Sequence, residues 1–300
     1  MSANRPAWMG KPSPLVKAVK AVALVVVVAV VLFPFWTIVA TSIASPQEVV
    51  DNGGWVVIPT SLSFHAYTDV FEGGVITHAL LISGGITAVG TLLSLVATVF
   101  LAYALSRPSI VGGKPVLLAI LFTFLFPPAM IPAFLVVQEL GLKEDYLSLI
   151  LPVLVNTFNL VVMRGFFQNV PSELIEAARL DGAGDFRILT RVVMPLSKAV
   201  IAVIGLFYAV SYWNSFFTAI LYMRSDQWPV QAVLRQYVTQ GAALSNTSEV
   251  TVVNSPQSTK MAVVVMATIP IIVLYPFVQR FFAKGVLTGA IKSLGKRSQP

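Results

Sequence analysis

The side chains able to do chemistry in this chain are few, and they gather in two places. The first is Glu176-Ala177-Ala178-Arg179-Leu180-Asp181-Gly182, where carboxylates and a guanidinium sit among very small residues. That set suits ion pairing and close backbone approach by another protein. The second is a group of amides, hydroxyls and rings: Asn156 and Asn159, then Tyr208, Ser211, Tyr212, Trp213 and Asn214. Amides bond hydroxyl groups and rings cover apolar faces, so this group suits reversible binding of a polyhydroxylated solute. Covalent and metal chemistry have little to work with. The chain has no Cys, which excludes a disulfide frame, a thiolate zinc site and a Cys nucleophile. Its two His, His65 and His78, are too few for a histidine-rich metal site. There is no Gly-x-x-x-x-Gly-Lys-Ser/Thr phosphate loop, so the chain is not itself an ATPase.

The elements that position these residues are membrane spans. Of the 300 residues, 56% are hydrophobic and 11% are charged, whereas a soluble domain carries about 25% charged residues. Most of the surface therefore faces lipid. Five Trp, eight Tyr and nineteen Phe fit interfacial belts and helix packing. A span needs about 20 apolar residues to cross about 30 Å of hydrocarbon. Six stretches qualify: 18–42, 78–106, 115–138, 147–170, 197–222 and 260–283. Backbone groups in lipid must pair internally, so each is read as a helix. Lys17 and Lys20 precede the first run as in a signal peptide. The run continues from Ala21 to about Ala40, longer than a signal core, and reads as a retained anchor. The predicted fold is all-α, a polytopic membrane protein with six transmembrane helices.

Six crossings put both termini on one side. With both in the cytoplasm, sixteen Lys and Arg lie inside and only Lys143, Arg224, Arg235 and Lys260 lie outside. That asymmetry sets the orientation. It also argues against nucleic acid as the reason for the net charge of +7, since the basic residues are scattered over inner loops. The expected organisation is a cytoplasmic tail at 1–17, a six-span domain at 18–283 and a second cytoplasmic tail at 284–300. The outer loops at 43–77 and 223–259 are long and rich in Ser, Thr, Asn and Gln, carry Glu48, Asp51, Asp69, Glu72, Asp226 and Glu249, and read either as solvated connectors or as functional segments.

Residues 171–199, between the fourth and fifth spans, differ from every other connection. Ser172 is expected to cap a short helix with Glu173 in its first turn. Leu174, Ile175, Ala178 and Leu180 give that helix an apolar side, and Gly182 ends it. Asp185 is expected to cap a second helix, and Met194-Pro195 leads into the fifth span. The result is a helix-turn-helix on the cytoplasmic face.

This segment resembles the EAA signature of binding-protein-dependent importers of the ATP-binding-cassette (ABC) class. Glu176-Ala177-Ala178 is followed by Gly182, then by Val192 and by Met194-Pro195 at the signature's spacing, with Val for Ile and Met for Leu. Ala102-Tyr103-Ala104-Leu105-Ser106-Arg107, Phe126-Pro127-Pro128 with Met130-Ile131-Pro132, and Trp213-Asn214 with Phe216-Phe217 are similar to sugar permeases of the maltose type. The tail from Phe282 to Lys292 most resembles the subgroup importing complex oligosaccharides and polysaccharide fragments, including uronides.

The resemblance implies a permease subunit, not an enzyme, in the bacterial inner membrane, moving an oligosaccharide into the cytoplasm. Its partners would be a cytoplasmic ABC ATPase dimer that binds ATP and Mg, a second and distinct permease chain, an extracytoplasmic solute-binding protein and membrane lipid. No cofactor is expected in this chain. Glu176, Ala177, Ala178, Arg179, Asp181, Gly182 and Pro195 would form the coupling element, with Glu176 foremost for pairing and Arg179 and Asp181 as alternatives. Part of 240–256 would reach into the binding protein. Asn156 and Asn159, three residues apart and near the bilayer centre, either line the solute path or bond between helices. The same two readings apply to Tyr208, Tyr212, Trp213 and Asn214. The competing functions are an ABC importer for another solute, an ion-driven transporter and a membrane enzyme. No Asp or Glu lies inside the six stretches, which weakens ion coupling.

Overall fold

The structure is a computed structural model and describes residues 13–72, 74–240, 257–273 and 276. It divides into two units, Met1–Glu72 with Ser245–Val265, and Gly73–Leu244 with Met266–Pro300. Among the described residues it is all helical, with no strand. The tail motif at 282–292 and the segment 241–256 lie outside the described residues.

In the first unit, α1 (Pro14–Ile43) starts where Ser13 Oγ accepts from the Val16 amide and Pro14 fixes the first turn. Its apolar side chains are exposed from Leu15 to Trp36. Such a surface is untenable in water and natural in lipid. Burial begins at its end, where Thr41 Oγ1 donates to the Val56 carbonyl and accepts from the Val56 amide. Beyond it lies a polar knot around α2 (Pro46–Asp51), ahead of α3 (His65–Glu72). Glu48 accepts from Thr60 N at 2.8 Å, Ser61 N at 3.0 Å and Ser61 Oγ at 2.8 Å. These donors, the Thr60 amide foremost, pull its carboxyl down to a pKa of about 2. The early part of this loop is therefore built structure and not a bare connector.

In the second unit, α4 (Val75–Ser106) is a single long helix. It packs most extensively on α12 (Lys198–Trp213) and next on α8 (Thr157–Gln168). The core gathers where these three meet. Two helices among the described residues, α1 and α4, are individually long and apolar enough to cross a membrane, and bent pairs would raise the number to five.

The structure corrects the picture of unbroken helices in three places. The stretch 115–138 is α5 (Gly113–Leu125) and α6 (Met130–Glu139), bent by 120°. Pro127 and Pro128 at the break have no N–H, and each biases its predecessor away from helical angles. The stretch 147–170 is a short helix, α7 (Leu147–Ile150), running into a 3₁₀ turn at Leu151–Val153, then α8 at 52°. Pro152 interrupts the ladder, and Asn156 restarts it by capping α8. The stretch 197–222 is α12 and α13 (Phe217–Tyr222). Here the Val210 carbonyl accepts from both the Asn214 amide at 3.1 Å and Asn214 Nδ2 at 2.8 Å, and α12 ends at that cap. The stretch 260–283 begins as an apolar helix at Gln257–Val273, and its remainder is mostly outside the described residues.

Candidate functional site

The charged segment of the sequence lies on α9 (Ser172–Leu180), followed by a tight turn and α10 (Asp185–Ile188). Both caps fall one residue earlier than expected, on Pro171 and Gly184, and neither makes a side-chain cap bond. The Asp185 carboxylate is turned elsewhere, 3.6 Å from Arg179 Nη2 and 3.4 Å from the Tyr103 hydroxyl. The end of α9 is as expected. Gly182 stands at φ 77°. Its amide donates to the Arg179 carbonyl at 3.0 Å, and the Ala183 amide donates to Ala178 at 2.9 Å. This is a Schellman closure, whose left-handed residue favours glycine.

α9 has two different faces. Ile175 and Ala178 pack toward the core, as does Ala183 beyond the turn. Glu173, Glu176, Ala177 and Leu180, at i, i+3, i+4 and i+7, are all exposed, Leu180 to 90%. The expected single apolar side is therefore split, with Leu174 and Leu180 outward.

Beyond α10 the ladder widens into a π turn at Leu189–Val193 before α11 (Met194–Leu196). Pro195 has no N–H to return to the preceding turn, and π turns within helices often fall at functional sites. The chain then bends by 86° into α12. The end of α4 clasps this connection. Phe100 stacks on Phe186 at 6.3 Å and 14°. The Tyr103 hydroxyl lies 3.2 Å from the Asp185 carbonyl, and Arg107 covers the Tyr103 ring at 4.3 Å.

The amides and rings form a second feature. Val153, Asn156, Asn159, Tyr208, Ser211 and Tyr212 are among the residues lining a cavity of about 420 Å³, within the usual range for a small-molecule site. Asn156 is the N-cap of α8, its Oδ1 accepting from the Asn159 amide at 3.1 Å. Its own amide donates to the Tyr208 hydroxyl at 2.9 Å, and that hydroxyl also bonds Thr98 Oγ1 at 2.7 Å. The Tyr212 hydroxyl bonds Ser94 Oγ at 2.7 Å.

Residues 80–288 match the family of binding-protein-dependent transport system inner membrane components. The chain belongs to that family. It is a permease subunit of an ABC importer. Over 265 residues it is 44% identical to the polygalacturonan/rhamnogalacturonan transport system permease protein YtcP of Bacillus subtilis (strain 168), covering 87% of this chain and 92% of that protein. Protein LplC of the same organism is 42% identical over 268 residues, covering 88% of this chain and 90% of that protein. A solved bacterial ABC transporter involved in the import of the acidic polysaccharide alginate has a chain 32% identical to this one. It superposes with a TM-score of 0.84 over 92% of this chain and 100% of that chain.

In this permease the fold brings Asn156, Asn159, Tyr208 and Tyr212 to one cavity. Trp213 and Asn214 are not among its lining. The Trp213 indole N–H donates to the Ala267 carbonyl at 3.0 Å, and Asn214 caps α12. On the loop, Glu176, Ala177, Arg179, Asp181, Gly182 and Pro195 are all exposed, and Ala178 is half-buried.

Sequence reasoning missed a stripe on α4. Gly90, Ser94 and Thr98 receive Tyr212 and Tyr208, and a Cβ on Gly90 would stand 2.8 to 2.9 Å from Tyr212 ring atoms. Small and hydroxylated residues at every fourth position of a span are the usual mark of a close helix pair, and that spacing was there to be read.

Proposed function

We propose that this permease half admits an oligosaccharide derived from an acidic polysaccharide and is driven by a cytoplasmic ATPase docked on the 171–199 loop. The observation that carries the coupling is the outward face of α9. A Schellman closure and the core-facing Ile175 and Ala178 fix the helix, leaving Glu173, Glu176, Ala177 and Leu180 for a partner's groove. Small Ala177 lets a backbone approach, and Glu176 offers a carboxylate to a basic or amide group. The ATP and Mg belong to that partner. The solute class is supported by the likeness to the polygalacturonan/rhamnogalacturonan permease and to the alginate importer chain.

The reading includes six crossings with both termini in the cytoplasm, and a cell membrane location with multiple passes. The pair α5 and α6 is taken as one broken crossing. Were it a re-entrant hairpin, the 171–199 loop with Arg179, Arg187 and Arg191 would lie outside, against the rule for basic residues. The cavity beside Asn156 is one wall of the solute path, which a second and distinct permease chain completes. A solute-binding protein delivers from the other side, and part of 240–256 reaches toward it.

The test is uptake into proteoliposomes holding the full importer. Oligogalacturonides should enter with ATP and the binding protein, and entry should survive collapse of the proton gradient. Uptake that follows the proton gradient instead overturns the coupling. Uptake of neutral maltodextrins alone overturns the solute class.

A further inference from the structure

A second cavity, of about 390 Å³, lies where α4 ends and α5 begins. Arg107, Lys114 and Arg164 line it, with Ser106 and Gln168, and its described lining contains no carboxylate. Arg107 holds Tyr103 through Nη2, while its Nε is buried without a hydrogen-bond partner among the described residues. Arg164 spends Nε on the Leu105 carbonyl at 2.8 Å. The N-terminus of α5 opens onto the same cavity at Gly112 and Gly113, with no side-chain cap. Three cations, an unpartnered buried N–H and an uncapped helix start together favour a multiply oxygenated anion.

The surroundings say which anion. Ile110 folds back over Gly113, where a Cβ would stand 2.6 Å from its Cγ2, and the neighbouring Val111 is 97% exposed at the loop tip. Along α5, Val116 and Leu118 are exposed as well. An apolar loop tip beside a cationic cavity at a helix end is suited to the headgroup layer, with Val111 in the acyl boundary and phosphate in the cavity.

We infer that this cavity binds the phosphate of an anionic phospholipid headgroup in the cytoplasmic leaflet. The leaflet rests on the orientation proposed above. That orientation is checked separately by labelling a Ser109→Cys variant, at an exposed polar position of the same loop in a chain that has no Cys, with an impermeant reagent from each side of the membrane. Labelling only from outside sinks the orientation and leaves the cavity's anion binding to be judged by its own test.

That test uses the full importer in nanodiscs of equal phosphatidylglycerol and phosphatidylcholine, with lipid retained after a detergent wash read by native mass spectrometry. The wild-type complex should keep phosphatidylglycerol. Lys114→Gln should lower its retention about fivefold, the weight of one basic residue at a lipid surface, and Lys114→Glu should lower it further. Lys143→Gln, an exposed lysine outside both the cavity and the 171–199 loop, should leave that retention unchanged. Equal retention in Lys114→Gln and wild type overturns the inference. So does equal loss in Lys143→Gln, or displacement of the lipid by millimolar inorganic phosphate. Release of the ATPase from Lys114→Gln with lipid retention intact assigns the cavity to a protein partner and also overturns it.

Discussion

The 171–199 loop and the Asn156 cavity both carry polar side chains, yet they use them in opposite ways. On α9 the exposed side chains of Glu173, Glu176 and Ala177 make no hydrogen bond or ion pair among the described residues, and the helix is fixed by its far side and by Gly182. In the cavity the Tyr208 and Tyr212 hydroxyls are already bonded to Thr98 and Ser94. They tie α12 to α4 as well as facing the space. A surface kept free of structural duty can serve a partner without disturbing the fold. A wall built from structural bonds cannot be altered without loosening the helices it joins.

Ala177→Arg breaks the comparison most severely, if it breaks. Its side chain is exposed, so the melting temperature should be unchanged while ATP-driven uptake falls by tenfold or more and the ATPase no longer co-purifies. A large loss of melting temperature would mean the loop's outer face is structural after all. Gly90→Leu probes the other side. It forces a side chain into the Tyr212 ring, and overpacking of this kind costs about 1–3 kcal/mol. Stability and uptake should fall together. Tyr208→Phe is milder. It removes the acceptor of the Asn156 amide and leaves the buried Thr98 Oγ1 without that partner, at a cost of about 1–3 kcal/mol, seen as a lower denaturation midpoint with the ATPase still attached.

Much of this arrangement could be read in the residues beforehand. The long apolar runs of α1 and α4 and the close of α9 at Gly182 depend on local chemistry, which sequence displays directly. The α5–α6 break did not read as a bend of 120°, because Pro127-Pro128 announces an interruption but not the direction in which packing resumes. In the sequence Asn156 sits inside the mainly apolar stretch 147–170, which reads as one helix. Its role as the cap of α8 depends on Pro152 having ended the turn before it. The stripe of Gly90, Ser94 and Thr98 gains meaning only once Tyr208 and Tyr212 are known to lie opposite. The knot around Glu48 has no periodicity at all, since it is made of single bonds to the amides of Thr60 and Ser61.

That knot gives the smallest expected effect and a third case for the comparison, a polar group wholly given to local structure. The Glu48 carboxyl is held at about 2, below its ordinary 4.5. A depressed carboxylate contributes fully above the unfolded value and loses its contribution as pH falls through the folded one. Amide protection at Thr60 and Ser61 should therefore be constant above about pH 4.5 and decline toward pH 2. In Glu48→Gln the decline should disappear. Uptake at neutral pH should hardly change.

The most direct measurement of the whole account is ATP hydrolysis by the reconstituted importer, stimulated by the solute-binding protein with an oligogalacturonide bound. Stimulation in the wild type and its loss in Ala177→Arg, with the permease pair still folded, is the expected result. Equal stimulation in the two would contradict coupling through the 171–199 loop.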